Sequence, residues 1–406
     1  MAKGGRKIYR TSANSRKKRT RKFFKALFIV ILLAVLVFLG YSIAKPIHNY
    51  IISKTGESTV DEEVWTPPVL TEKDNDESEA QSEKPEETTT ASEEEKPISS
   101  VKFSAYQLPV TALASSDTLK AALNTAKGSG YTSVSVPLKA KGGKIYYTTA
   151  SEMAAKSEEA VAGTMYAGQI AAMIKNEGFT AIAYVNLLED NNRYGESRTG
   201  SYRIASDDST WLDNAPSNGG KPWLSPFDEA TQAYVEYISY EVATSGFDYI
   251  VFDGAVFPAF RNSDMNYIGD IVKTESRYKA LVNIANIAAQ TVSLTDAKAI
   301  LNVSAADILN GTEEVFKPAE LNYEMIAVEY VPSELPAIAV INGEEIALAE
   351  LPANNKAQLI FSEIERLAGE NTEIVPVLTQ SDFSQADFNE TVTAVISLGC
   401  DSYIIK

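Results

Sequence analysis

The chain has 406 residues but only one histidine and one cysteine. His48 stands beside a long apolar run near the N-terminus, away from the patterned part of the chain. A Ser-His triad, a Cys-His dyad or a histidine metal site is therefore excluded from the folded part. A lone Cys400 allows neither an intramolecular disulfide nor a thiolate metal cage. It lies in an apolar stretch and reads as an inert core residue. No glycine-rich phosphate loop follows the first strand-like stretch. General acid/base or covalent chemistry thus falls to carboxylates, tyrosine or lysine, and no metal or cofactor is expected.

What is present is distributed unevenly. Residues 1–25 carry 11 Lys or Arg and no acid. Ala26–Ala44 follows, 19 residues without a charge, long enough to span a hydrocarbon core. By the positive-inside rule the basic tail stays in the cytoplasm, where it also meets anionic lipid. The rival reading is a cleaved signal peptide ending at Ser42-Ile43-Ala44. The length of the apolar run and of the basic region before it favours an uncleaved anchor. Residues 45–99 read as a juxtamembrane stretch and then, from residue 57, an acidic spacer rich in Ser, Thr and Pro. Such a segment buries too little apolar surface to fold, and its like charges extend it. The expected layout is a single-pass protein of the cell membrane, with residues 100–406 folded outside. The formal charge of −17 belongs to the spacer and this outer domain, so nucleic acid is not an expected partner.

From residue 100 strand-like and helix-like stretches alternate. Strands are expected at Val101–Leu108, Tyr131–Leu138, Phe179–Leu187, Tyr249–Asp253, Ala299–Val303, Tyr323–Tyr330, Glu373–Leu378 and Asp401–Ile405. Helical spacing fills most gaps between them, with glycines such as Gly178, Gly246 and Gly369 at the ends. The helix between strands five and six is the poorest and is placed near Thr312–Lys317. The last helix is missing or precedes strand one. Gly142-Gly143 followed by Ile145–Thr149 suggests an added arm. Asn342-Gly343 between two alternating runs signals an inserted hairpin. Leu188–Ser225 and Arg261–Gly269 read as polar loops. The pattern indicates a (β/α)₈ TIM-type barrel, with a doubly wound open sheet as the alternative.

In such a barrel the working residues stand at the C-terminal strand ends. Gln107, Tyr184, Asn186, Glu189, Asp190, Asp253, Asn302, Glu329 and Thr379 or Gln380 hold those places. Side chains alternate along a strand, so Asp253 shares a face with Val251 and Tyr249, and Glu329 with Ala327 and Met325. Two carboxylates across a barrel mouth suit glycoside hydrolysis, one as nucleophile or base and the other protonating the leaving oxygen. Asp253 and Glu329 are the expected catalytic pair. Tyr184, Asn186, Asp190, Trp223 and Asn302 are candidates for binding substrate. The bland alternatives are loop solvation for Asp190, loop packing for Trp223, barrel filling for Tyr184 and backbone satisfaction for Asn302. Trp211, Tyr194 and Tyr202 could stack on sugar rings or pack the long loop.

Gly246-Phe247-Asp248-Tyr249-Ile250-Val251-Phe252-Asp253, continuing to Phe257-Pro258 and preceded by Trp223-Leu224-Ser225-Pro226, resembles a family of bacterial glycoside hydrolase domains of unknown specificity. That family's signature runs G-F-D-x-I-x-F-D-Y-x-R-F-P after W-x-x-P. The resemblance covers Thr164–Pro258 and implies a barrel, a carbohydrate substrate and an acidic residue at Asp253. Gly254 and Val256 stand where the signature has Tyr and Arg, so Asp253 loses a cationic and a phenolic neighbour. Three functions are compatible with this reading. The first is a membrane-anchored extracellular hydrolase of a cell-envelope or environmental polysaccharide. The second is a carbohydrate-binding or wall-organising pseudoenzyme on the same barrel. The third is a scaffold that binds a protein partner.

Overall fold

Short apolar runs bounded by glycine and proline pair best when both faces are covered, and a closed parallel barrel covers both. A computed structural model describes residues 103–151, 161–191, 200–269, 276–311, 315–400 and 402–406. The barrel strands are β1 (Ser104–Gln107), β2 (Ser133–Lys139), β3 (Thr180–Asn186), β4 (Tyr249–Asp253), β5 (Lys298–Ser304), β6 (Met325–Glu329), β9 (Glu373–Leu378) and β10 (Tyr403–Ile405). They close in the order β1-β10-β9-β6-β5-β4-β3-β2, all parallel. The (β/α)₈ expectation therefore holds, and the open doubly wound sheet does not.

Helices cover the outside: α1 (Ser116–Gly128), α2 (Ala167–Asn176), α3 (Glu229–Ala243), α4 (Asn262–Ile268), α5 (Ser276–Ser293), α6 (Ala305–Asn310), α7 (Ala353–Ala368) and α8 (Gln385–Ser397). Period-two alternation sorts the strand residues. Ile250, Phe252, Ile326 and Val328 join the core under the helices. Tyr184, Tyr249, Val251, Ile300, Met325, Ala327, Val375 and Ile404 fill the barrel interior.

Two elements differ from expectation. The helix after β5 is α6, seven residues upstream of the expected start, and residues 312–314 lie outside the described residues. Ser304 caps it by accepting the Asp307 N–H at 3.2 Å, and Gly311 ends it in the left-handed region at φ 67°. Both are ordinary helix signals. Arg261–Gly269, expected as a loop, contains α4, whose first turn is closed by Asp264 accepting from the Arg261 backbone and guanidinium at 3.1 and 2.8 Å. The Asn342-Gly343 hairpin is present as β7 (Ile338–Ile341) and β8 (Glu344–Ala347), with both turn residues at positive φ as a type I′ turn requires. The arm after Gly142-Gly143 is held by isolated bridges instead of a regular hairpin. Its Tyr147 and Thr149 hydroxyls both donate to Glu241 of α3 at 2.6 Å.

The long loop carries a small core of its own. Tyr202, Trp211 and Ile268 are buried together, with Trp223, Phe227, Phe257 and Phe260 against them. Tyr202 and Trp211 are 2% exposed, so neither presents a face to a sugar. Tyr194 lies outside the described residues, as do the basic tail, the apolar run Ala26–Ala44, the acidic spacer and the segment preceding β1. Among the described residues no helix is long and apolar enough to cross a membrane.

A buried ion pair fastens the top of β2 to the end of β3. The register of β2 shifts between Pro137 and Lys139, which turns Lys139 from the interior toward α3. Its ammonium lies 3.2 Å from Asp190, both side chains 1% exposed, and donates to the Asn186 carbonyl at 2.7 Å. Removing one member strands the other in a low-dielectric setting. Lys139→Met and Asp190→Asn are each expected to lower unfolding free energy by about 3–5 kcal/mol. Urea denaturation checks this, and a loss below about 1 kcal/mol for both would show the pair to be dispensable.

Candidate functional site

The motif that ends at Asp253 is built from both faces of the barrel. Gly246, at φ 90°, turns the chain out of α3. Phe247 is buried in the outer core. Asp248 fastens the lower end of the strand: its carboxylate accepts the Ala181 N–H at 2.8 Å and pairs with Lys175 at 2.8 Å. The strand then delivers Asp253 to its upper end on the interior face, aligned with Asn186 of β3.

Three further strand ends supply the rest. Asn302 follows Ile300 on the interior face of β5, Glu329 follows Ala327 on β6, and Lys406 follows Ile404 at the end of β10. Lys406 is held by backbone bonds to the end of β9 and the turn after it, donating to Leu378 at 2.8 Å and accepting from Gln380 at 2.9 Å. The Asn302 amide nitrogen donates to Asp253 Oδ1 at 3.1 Å and makes a longer contact to Glu329 Oε2 at 3.5 Å. One amide group therefore touches both carboxylates. The two facing oxygens can be no farther apart than the sum of those contacts, about 6.6 Å. Asp253 Oδ1 also accepts the Gly254 N–H at 2.8 Å. Glu329 Oε1 accepts from Lys406 at 3.1 Å, and the Lys406 ammonium stands 5.0 Å from the centre of the Tyr184 ring.

Burial works against the charge of Lys406, but its buried neighbours, among them the Glu329 and Asp253 carboxylates, outweigh that and raise its pKa above the ordinary lysine value. Burial raises the Tyr184 phenol well above its usual value; Lys406 opposes the shift, and the two carboxylates reinforce it. Tyr184 is thus a neutral hydroxyl at working pH. Its oxygen and the Asn302 side-chain oxygen are both buried without a hydrogen-bond partner. Buried polar atoms are normally satisfied, so these two atoms at the base of the site are what a ligand hydroxyl could engage.

The remaining sequence candidates form the wall beside this group. The Asn186 amide donates to Glu189 at 3.2 Å and its oxygen accepts the Glu189 N–H at 3.0 Å. Glu189 in turn pairs with Lys141 at the rim at 2.7 Å. The Lys141 pKa is raised, first by its hydrogen bond to Glu189, against burial, and then by the charges of Glu189, Asp253 and Glu329. Asp190 points away from this wall into the Lys139 pair, and the Tyr234 hydroxyl lies 3.4 Å from it. Trp223 is half-buried, and its indole N–H donates to Asp213 at 3.2 Å within the long loop. The structure thus brings Tyr184, Asp253, Asn302 and Glu329 together, stands Asn186 beside them, and sets Asp190 and Trp223 in supporting positions. Lys406 and Lys141 were not among the expected site residues. Alternation from Ile404 was the available signal for Lys406. Among the described residues no cluster of three or more His, Cys, Asp or Glu could hold a metal ion.

Residues 105–316, just over half of the chain, match the profile of a family described as "Putative glycosyl hydrolase domain" (DUF4015). The chain belongs to this family. No curated protein matches its sequence. Among solved structures, the PgaB (BpsB) glycoside hydrolase domain of Bordetella bronchiseptica is 13% identical, with a TM-score of 0.51, covering 76% of this chain and 94% of that one. The PelA glycoside hydrolase domain of Pseudomonas aeruginosa is 12% identical, with a TM-score of 0.39, covering 75% of this chain and 94% of that one. At 13% identity the likeness to the PgaB (BpsB) domain is one of fold.

The family member described here departs from the signature at Gly254, and the backbone shows what the departure accommodates. Gly254 lies at φ 67°, and a Cβ built on it would fall on the Asn186 amide. Gly254→Ala is expected to cost about 1–3 kcal/mol from the left-handed backbone alone, with further loss from displacing Asn186. Thermal and urea unfolding check this; a variant as stable as the parent would show that neither the left-handed backbone nor Asn186 resists a side chain there.

Proposed function

We propose that the barrel is a glycoside hydrolase that cuts a polysaccharide of the cell envelope or its surroundings, with Asp253 and Glu329 as the carboxylate pair. The observation that carries this is the Asn302 amide lying between the two acids, which limits their facing oxygens to about 6.6 Å. Carboxyl groups about 5–5.5 Å apart serve double displacement, whereas single displacement needs about 6.5–9.5 Å to admit a water. Facing oxygens held to at most about 6.6 Å reach only the lower edge of the second range, and on that ground we assign a retaining course. Family membership and the strand-end position of both acids support the same chemistry.

Substrate recognition follows from the neighbours. The unpartnered Tyr184 hydroxyl and Asn302 oxygen would meet sugar hydroxyls at the base of the site, while Asn186 and Glu189 form its wall. Asp190, through Lys139, would hold that wall instead of touching sugar, and Trp223 would stiffen the long loop beside it. The basic tail and the apolar run Ala26–Ala44 would tether the barrel outside the cell membrane, with residues 45–99 as the spacer.

The direct test is hydrolysis of a panel of envelope and environmental glycans by the full chain and by Asp253→Asn and Glu329→Gln. The wild type should release reducing ends from at least one glycan. Each substitution should lower kcat by about 10²–10⁴-fold while leaving the melting temperature near that of the parent. A wild type that binds a glycan tightly and never cuts it, indistinguishable from both variants, would establish a binding protein instead.

A further inference from the structure

Resting on the hydrolase reading above, we propose that Lys406 is the positioning residue that divides labour between the two acids: it keeps Glu329 as the standing anion and leaves the proton to Asp253. The two carboxylates are not equivalently held. Both Glu329 oxygens face donors, Oε1 the Lys406 ammonium at 3.1 Å and Oε2 the Asn302 amide at 3.5 Å. Asp253 concentrates its contacts on Oδ1, which takes the Gly254 N–H and the Asn302 amide. Among the described residues its Oδ2 takes no donor. A carboxyl oxygen that carries a proton to a leaving group must itself be free of donors, and Oδ2 meets that condition. A carboxylate that must stay charged gains from a cation against it, and only Glu329 is in hydrogen-bond contact with Lys406.

The position of Lys406 is built into the fold. Its backbone is pinned by Leu378 of β9 and by Gln380 just beyond it, its side-chain exposure is only 18%, and its ammonium lies over the Tyr184 ring. The charged and titratable groups around it are Glu329, Asp253 and Tyr184. Lys141, the other cation near the pair, is directed instead to Glu189.

The resulting steps balance. A Glu329 oxygen bonds to the anomeric carbon as the bond from that carbon to the leaving oxygen breaks, and the proton on Asp253 Oδ2 passes to the leaving oxygen. Water then adds to the anomeric carbon and gives its proton to Asp253. The bond to Glu329 breaks with its electron pair returning to the carboxylate.

The test uses the full chain in three arms. In hydrolysis assays Lys406→Met should lose about 100-fold in kcat with KM within about threefold, and Lys406→Arg, which restores a cation, should recover about tenfold. With azide as the external nucleophile, Glu329→Ala should yield the glycosyl azide of inverted anomeric configuration and Asp253→Ala the retained one. In a ¹³C-NMR titration of the lysine ε-carbons, Lys406 should lose its proton more readily in Glu329→Gln than in the wild type, by about tenfold in proton affinity. An unchanged kcat in Lys406→Met, reversed azide products, or identical Lys406 titrations would each overturn the role of Lys406 and leave the hydrolase reading standing. Absence of hydrolysis by the wild type across the panel would overturn both.

Discussion

A closed ring of parallel strands leaves polar side chains very little room. Each strand here is buried on both sides, with one set of side chains under helices and the other filling the barrel axis. An interior position below the rim must be apolar or must find a partner, since an unpaired charge there is costly. Charged groups are therefore pushed to the strand ends, where solvent and ligand can reach them. Asp253 and Glu329 occupy those ends on β4 and β6, and Asn302 on the strand between them is the group that can touch both. Pairing of β10 with β9, the neighbour of β6, brings Lys406 into the same ring. The site is thus a consequence of strand order, which sets β4, β5, β6, β9 and β10 side by side.

The same constraint explains the buried pair beside the site. The slip of register at Pro137 turns Lys139 out of the barrel and toward α3. A lysine there needs an anion, and Asp190, at the start of the long loop, supplies it. Lys139 also holds the Asn186 carbonyl, and the Asn186 side chain holds Glu189. The rigidity of the site wall is carried from the core outward in that order, so a residue that touches no substrate can still govern where the wall stands.

Most of the barrel was legible in the sequence because its signals are local. Strand alternation is visible in Tyr249–Asp253 and Met325–Glu329, and the hairpin turn needs only Asn342-Gly343. The same alternation put both acids on the interior face before any geometry was known. What was missed had a different cause in each case. α6 starts on a serine cap directly after its strand, where no loop separates the two patterns, and α4 is a short polar helix without a clear apolar stripe. Trp211 and Tyr202 could be read as sugar platforms because aromatic content does not distinguish a binding face from a loop core. Lys406 was overlooked because a lone lysine usually reads as solvated. Its place beside Glu329 depends on β10 pairing with β9 and β9 with β6, contacts that no local pattern in the sequence displays.

The departures at Gly254 and Val256 take on a different meaning once the neighbours are visible. Read alone, they strip Asp253 of a cation and a phenol. In the folded chain the space beside Gly254 is taken by the Asn186 amide, which a side chain there would displace. A cation is present too, supplied by β10 and directed at Glu329 instead of Asp253. A phenol, Tyr184, lies beneath that cation. Charge and hydroxyl groups of the kinds lost at the motif thus recur in the site from other strands, with the cation set on the partner acid. An asymmetric pair of carboxylates, one ion-paired and one open at a single oxygen, is better suited to dividing acid from nucleophile than two acids in like surroundings.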